Sequence, residues 1–402
     1  MSNKPSVVMM GLGYIGLPTA ALIASRGLRV TGIDIRENVV ETINKGQIHI
    51  VEPDLDGLVH HVVHKGDLTA TTSPVKADVY LIAVPTPFKD NHMPDLSYVL
   101  SATKSIIPVL EKGVLVILES TSPVGTTRKM EELIYTTRPE LKGHIYIAYC
   151  PERVLPGNIL HELQHNDRAI GGIDQASTQK AIAFYKHFVS GQLHPTNAKT
   201  AEMVKLVENA SRDNQIAFAN ELSMICDKAE INVWEMIALA NKHPRVNILN
   251  PGTGVGGHCI AVDPWFIVSE FPNESTLIKT SRERNVYKTQ WVIEKVKNKA
   301  LAFKIEHDRD PIIACMGLAF KPDIDDLRES PALQVADTLK KEGFKTLEVE
   351  PNLVGAVTDR QIVPANDAIL HADIIVFLVA HKEFKHLPKI EHKITLDFCG
   401  NL

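Results

Sequence analysis

The sequence predicts an α/β protein: two Rossmann-like, doubly wound parallel-sheet domains joined by a long central helix. Three observations carry this. Short Val- and Ile-rich runs alternate with helical patterns at both ends of the chain, and strands covered on both faces of a parallel sheet read as continuous apolar runs. The glycine-rich hexapeptide GLGYIG follows the first such run. Between the two α/β regions, Thr200 to Ile231 contains neither Gly nor Pro and repeats apolar residues at helical spacing.

In order, SVVMMG (6–11), RVTGID (29–34), DVYLIAVPT (78–86), GVLVILEST (113–121) and IYIAYCPE (145–152) read as buried strands. The first domain is expected over 1–198 and binds a dinucleotide. The Gly- and Pro-free stretch predicts a helix of roughly 48 Å at 1.5 Å per residue, with a second helical region around 276–304; together they make a central domain over 199–307. From 308 to 402 the α/β pattern returns, with strands PIIACMGLAF (311–320), KTLEVE (345–350), ADIIVFLVA (372–380) and KITLDF (393–398), and a helix in PALQVADTLKKEG (331–343).

Composition narrows the function. The 402 residues are 44% hydrophobic and 23% charged with a net charge of −5, which gives no reason to expect nucleic acid or an anionic membrane as partner. Five widely spaced cysteines without a CxxC argue against a disulfide framework or a zinc site and fit a reducing cytoplasm; no metal is expected. The apolar N-terminus is broken by three glycines and a proline and reads as strand, turn and helix rather than a signal peptide. No run reaches the ~18 apolar residues of a membrane span.

Gly11, Gly13 and Gly16 form a G-x-G-x-x-G after a strand and before a helix. Gly11 permits the turn, Gly13 lets a pyrophosphate approach the backbone, and Gly16 lets helix and strand pack closely. Asp34 ends the second strand, where a carboxylate accepts hydrogen bonds from an adenosine ribose and repels a 2′-phosphate; Arg36 nearby keeps NADP open. Thr86 and Thr121 fall at strand ends, as walls of a nicotinamide cleft or as turn residues. Lys205, Asn209 and Arg212 share one face of the long helix, either as a solvated stripe or as groups that stabilise an alkoxide. In NPGTGVGGHCIAVDPW (250–265), glycines surround Cys259 with Asp263 four residues on; the thiol is either filler or a nucleophile.

GLGYIG, VPTPF, ESTSPVGTT, CPERVLPG, AEMVKLVEN, GVGGHCIAVDP and GLAFKPDIDDLRESP occur in the order found in the UDP-glucose/UDP-mannuronate dehydrogenase family, which the chain resembles over nearly its whole length. IHIVEPDL, AYCPERVLPG, HPRVNIL and HCIAVDPWFIV are similar to the bacterial members that act on UDP-N-acetyl-D-mannosamine. The resemblance implies four-electron oxidation of a UDP-sugar C6 alcohol to a carboxylate, with two NAD and one water consumed, in the synthesis of a surface polysaccharide. It implies Cys259 as nucleophile, Lys205 and Asn209 as oxyanion stabilisers, Asp263 with Thr121 in water orientation or proton transfer, and Glu152 as base for thioester hydrolysis. Arg153, Val154, Lys205, Asn209, Arg212, His243, Arg245, Gly256, Phe320 and Lys321 would contact the UDP-sugar. Tyr14, Ile15, Asp34, Thr86, Thr121 and Arg328 would contact NAD, Arg328 from a second subunit of a homodimer or higher oligomer. UDP-glucose, UDP-GlcNAc and UDP-GalNAc are alternative substrates; a 6-phosphogluconate-type dehydrogenase and a nucleotide-sensing binding protein are rival classes that would not need Cys259.

Overall fold

The computed structural model describes residues 4–89, 92–155, 157–257, 259–353, 359–387 and 392–401. The chain divides into two compact units, Met1–Glu208 and Asn209–Leu402, joined by the helix Ala198–Lys228.

In the first unit β1 (Val7–Met10), β2 (Val30–Ile33), β3 (Leu68–Thr71), β4 (Val79–Ile82), β5 (Leu115–Leu118), β6 (Tyr146–Tyr149), β7 (Arg168–Gly172) and β8 (Leu193–Asn197) form one sheet. Its order is β3-β2-β1-β4-β5-β6-β7-β8, parallel except where β6 meets β7. The central strands alternate side chains between two apolar layers: Val7 and Met9 face one, Val8 and Met10 the other. That double burial is why these runs read as unbroken hydrophobics. The strand order reverses between β1 and β4, so a crevice opens at their carboxyl ends, where ligands of such sheets bind.

The five strands expected in this unit are present. Three more, β3, β7 and β8, lie toward the two ends of the sheet. β8 reads LHPTN, half-exposed and with a proline that only a strand at a sheet edge tolerates; β7 ends in two glycines.

The second unit holds a smaller parallel sheet of β9 (Ile312–Met316), β10 (Lys345–Val349), β11 (Ile374–Phe377) and β12 (Ile394–Asp397), in the order β10-β9-β11-β12. It too has an apolar layer on each face. The helix Thr276–His307 covers one side through Val292, Ile293 and Val296.

The long helix begins where Asn197 accepts the Thr200 N–H at 3.0 Å, a side-chain cap. It ends three residues before the sequence pattern suggested, as the chain turns through left-handed Glu230. Within the second unit its buried Asp213 binds Arg282 at 2.6 Å and Asn285 at 2.7 Å. Asn285 in turn accepts from Asn220, whose Oδ1 takes the Gly252 N–H at 2.9 Å. This chain of bonds fixes the entrance of the loop that carries Cys259.

Candidate active site

The glycine turn of the first unit is built as its sequence requires. A Cβ at Gly11 would lie 2.6 Å from the Ala83 carbonyl oxygen, and one at Gly16 only 1.8 Å from that of Gly11. At Gly13 it would meet nothing within 4 Å. Gly11 and Gly16 are therefore glycines for packing, while the space over Gly13 admits a pyrophosphate ahead of the helix Gly16–Ser25, whose N-terminus favours an anion. Tyr14 is exposed and Ile15 half-buried beside it. Asp34, 7% exposed, accepts the Leu12 N–H at 3.2 Å and the Arg36 Nε at 3.1 Å. Burial works to raise its carboxyl, but hydrogen bonds from Arg36 and Leu12 outweigh it and hold it below the ordinary range. Arg36 is thus bonded to this carboxylate through both its backbone and its guanidinium.

The ends of β4 and β5 come together: the Thr86 hydroxyl donates to the Thr121 carbonyl at 2.6 Å. Three residues beyond β6, Glu152 lies 3.3 Å from the Lys205 ammonium, which is largely buried. Its other oxygen takes the Val154 N–H at 3.0 Å. Arg153 pairs with Glu208 at 2.5 Å. A buried cation held by a carboxylate can stabilise an alkoxide, and the carboxylate can take up a proton.

Two buried acids that sequence reasoning passed over hold these loops. Glu202, one turn before Lys205, accepts the N–H groups of Gly125 (2.6 Å) and Thr127 (2.7 Å) together with the Thr127 hydroxyl. Glu52 accepts the N–H groups of Gly157 (2.9 Å) and Ile159 (2.7 Å). The first ties the loop after Thr121 to the helix bearing Lys205; the second anchors the segment following Arg153 and Val154. Both lie in stretches that carry the family resemblance, AEMVKLVEN and IHIVEPDL, but a lone Glu amid apolar residues has no periodic signature that tells what it binds.

In the second unit, Asn209 donates to the Asp263 carboxylate at 2.5 Å, and Asp263 is buried at the start of the helix Asp263–Glu270. The Cys259 carbonyl accepts the Asp263 N–H at 2.8 Å, placing the thiol one turn ahead of that helix. Cys259 is the one exposed cysteine of the five; Cys150, Cys226 and Cys315 are buried. Burial pushes Cys315 up to about 12, which leaves it no nucleophilic thiolate at neutral pH. Arg212, His243 and Arg245 are exposed, and His243 Nδ1 accepts the Arg245 N–H at 3.3 Å. Ser211 and Gln215 are hydrogen-bonded to each other at 3.3 Å on the exposed face of the helix.

The glycines around Cys259 have a tighter reason than ligand access. A Cβ on Gly256 would sit 2.3 Å from the Glu329 carbonyl oxygen and 2.9 Å from Phe320 Cβ; one on Gly257 would sit 2.9 Å from the Phe320 ring. The Gly257 N–H also reaches the Arg328 carbonyl at 3.2 Å. Much of the glycine density therefore serves the protein's own 317–331 segment, bringing Gly256, Phe320 and Arg328 together. Lys321 follows on this segment, half-buried, and the Arg328 guanidinium is held by Asp326.

Family models match in sequence along the chain: the NAD binding domain of the UDP-glucose/GDP-mannose dehydrogenase family at residues 5–189, its central domain at 199–287 and its UDP binding domain at 314–401. The chain is 56% identical to the UDP-N-acetyl-D-mannosamine dehydrogenase of Campylobacter jejuni, covering 99% of this chain and 100% of that one. It is 51% identical to the NDP-N-acetyl-D-galactosaminuronic acid dehydrogenase of Ralstonia nicotianae, covering 98% and 96%. The solved structure of UDP-D-ManNAc dehydrogenase from Pyrococcus horikoshii superposes with a TM-score of 0.89 at 37% identity, covering 99% of this chain and 96% of that one. With its glycine turn, strand-end acids and thiol loop matched along their full length, the chain belongs to the UDP-glucose/GDP-mannose dehydrogenase family.

Proposed function

We propose that the protein is an NAD-dependent dehydrogenase that converts UDP-N-acetyl-D-mannosamine to UDP-N-acetyl-D-mannosaminuronate, for a surface polysaccharide. The full-length 56% identity to a UDP-N-acetyl-D-mannosamine dehydrogenase carries the substrate. Bound NAD supplies the hydride acceptor, twice per sugar; Tyr14, Ile15, Asp34, Thr86 and Thr121 hold it, with Arg328 from a second copy.

In the first oxidation the C6 hydroxyl loses its proton and C6 loses a hydride, giving an aldehyde. Lys205 steadies the alkoxide with a fixed positive charge. The Cys259 thiolate then adds to the aldehyde carbon, forming a C–S bond and an oxyanion that Lys205 and Asn209 stabilise. Departure of the second hydride leaves a thioester. Glu152 takes a proton from water as it attacks the thioester carbon, Asp263 with Thr121 orients that water, and the C–S bond breaks to return the thiolate. The sum consumes one alcohol, two NAD and one water, and yields one carboxylate, two NADH and three protons. Arg153, Val154, Arg212, His243, Arg245, Gly256, Phe320 and Lys321 bind the UDP-sugar, with Arg favoured for its forked donors on pyrophosphate.

The 51% identity to an NDP-N-acetyl-D-galactosaminuronic acid dehydrogenase favours UDP-GalNAc as the second reading. The deciding experiment is NADH formed per sugar, with UDP-N-acetyl-D-mannosamine limiting and NAD in excess. Two per sugar, and no steady-state turnover by Cys259→Ala, supports substrate and mechanism together. No turnover with this sugar, but two NADH per UDP-GalNAc, selects the second reading.

The segments 1–198, 199–307 and 308–402 serve as NAD-binding, central and UDP-binding domains in this proposal. The enzyme works in the cytoplasm as a homodimer or higher oligomer. Exposed Phe218 and Ile225 on the long helix and Tyr287 on the helix Thr276–His307 support a second copy as partner. No described helix is long and apolar enough to cross a membrane. Light scattering of Phe218→Asp, expected to be smaller than the native particle, tests the assembly.

A further inference from the structure

Phe320 and Lys321 sit between two anchor points in the turn that follows β9. At the near end, Leu318 and Ala319 donate their N–H groups to the same oxygen, Oε2 of Glu350, at 2.8 and 2.9 Å. At the far end, the Asp323 N–H donates to Nδ1 of His381 at 3.0 Å. Glu350 and His381 are both wholly buried, and His381 Nε2 lies 3.0 Å from that same Glu350 oxygen. A backbone N–H can only donate, so Nδ1 carries the lone pair and the ring proton is on Nε2, donated to Glu350. One imidazole thus clasps both ends of the turn.

Further bonds close the arrangement. The Lys382 N–H, next to His381, donates to the Asp323 carboxylate at 3.0 Å. Asn352 donates to the remaining Glu350 oxygen from its backbone at 3.2 Å, and its amide nitrogen lies 3.1 Å from His381 Nδ1. Asp323 is in the left-handed region at φ 61°, a conformation that costs an L-residue free energy and persists where its surroundings over-determine it. The strained end of the turn is the end that His381 holds.

We propose that His381, through Glu350, is a positioning residue for the 318–323 turn: it sets how Phe320 and Lys321 are presented, and so the affinity for the UDP-sugar, without touching the ligand. This rests on the reading above that Phe320 and Lys321 contact the UDP-sugar. A purely structural role for the buried pair would lower thermal stability and reduce all kinetic constants together. A positioning role separates them.

The test uses the full-length enzyme and two probes: UDP binding by calorimetry, and steady-state kinetics with UDP-N-acetyl-D-mannosamine and with NAD varied in turn. His381→Phe keeps a ring but can neither donate nor accept. It is expected to raise the UDP Kd and the sugar KM about tenfold, the scale of a lost buried hydrogen bond, with the NAD KM unmoved and kcat reduced less than about threefold. His381→Asn, which restores an acceptor near Nδ1, is expected to recover part of the UDP affinity. If His381→Phe gives no folded protein, Glu350→Gln takes its place with the same expected split. An unchanged UDP Kd, or parallel losses in both KM values and kcat, overturns the proposal. Lys321→Ala separates the two claims. If it weakens UDP and His381→Phe does not, the positioning role alone fails; if Lys321→Ala leaves UDP binding intact, the assignment of the turn to the nucleotide fails, and the proposal with it.

Discussion

The two units open their sheets with the same turn and put it to different use. Gly11-Leu12-Gly13-Tyr14 follows β1, and Gly317-Leu318-Ala319-Phe320 follows β9. The leading glycines have φ of 90° and 91°, and each donates at 2.8 Å to the last residue of the neighbouring strand, Ile33 or Val349. Each leucine N–H reaches the acid that comes next, Asp34 or Glu350. From there the turns diverge. After Gly13 a helix starts at Gly16, while after Ala319 none starts until Pro331. Asp34 is bonded to a half-exposed Arg36 that solvent can draw away; Glu350 is sealed by His381 and Asn352. A shared backbone turn therefore does not by itself make a dinucleotide site. An open third position, a helix start and an acid whose partner lies at the solvent do, and only the first turn has all three.

The largest effects are expected at the glycines of the first turn. Gly16→Ala places a methyl inside van der Waals contact with the Gly11 carbonyl and is expected to cost about 3 kcal/mol or more, read as loss of the cooperative thermal transition. Gly13→Ala faces open space, so it should keep the transition within about 2 °C while raising the NAD KM about tenfold. Wild-type NAD affinity in Gly13→Ala would remove the pyrophosphate from that position.

Next come the two acids. Glu350→Gln leaves His381 and two N–H groups facing an amide, and is expected to destabilise by about 3 kcal/mol. Asp34→Ala should cost less stability but weaken NAD by about 1.5–3 kcal/mol, measured by calorimetry. Were Asp34→Ala the more destabilising, the division of labour drawn above would be wrong.

Smaller effects appear with pH. In both acids burial works upward, but hydrogen bonds from Arg36 and Leu12, or from His381, Leu318 and Ala319, hold the carboxyl below its ordinary value. Such groups contribute stability that is complete above the unfolded value of about 4 and is lost as pH falls through the folded one. Glu350→Gln should therefore flatten the acid side of the stability curve. On the alkaline side the second unit adds an effect of its own. Lys288, buried with its ammonium 2.7 Å from the Ser223 hydroxyl, is pushed down to about 7 by burial. Between about 7 and 10 the unfolded chain holds this proton and the folded chain does not, so stability rises with pH. Lys288→Met is expected to flatten that rise in urea titrations at pH 7 and 9.

Much of this was legible in the order of residues. The nine runs become β1, β2, β4, β5, β6 and the four strands of the small sheet; in β1, β4, β5 and β11 every residue is buried, while β10 and β12 are partly exposed and were legible from their β-branched residues and bounding turns. β3, β7 and β8 were not legible: LTAT and LHPTN are partly exposed, and RAIGG ends in residues that signal turns. The turn at Gly11 and the acid at Asp34 are written as local motifs. Glu52, Glu202, Glu350 and His381 are not, because each acts on N–H groups distant in sequence. A buried acid looks like any other Glu until the fold delivers its donors.

Lys205 and Asn209 lie on a single uninterrupted helix. A helix has a phase as well as a length, advancing about 100° per residue. One alanine inserted between these residues would leave the helix continuous, with the bonds across it re-paired by one residue, yet turn Asn209 about a quarter of the way round relative to Lys205. A change of length is thus borne more easily by the loops than by the stretch from Lys205 to Asp213.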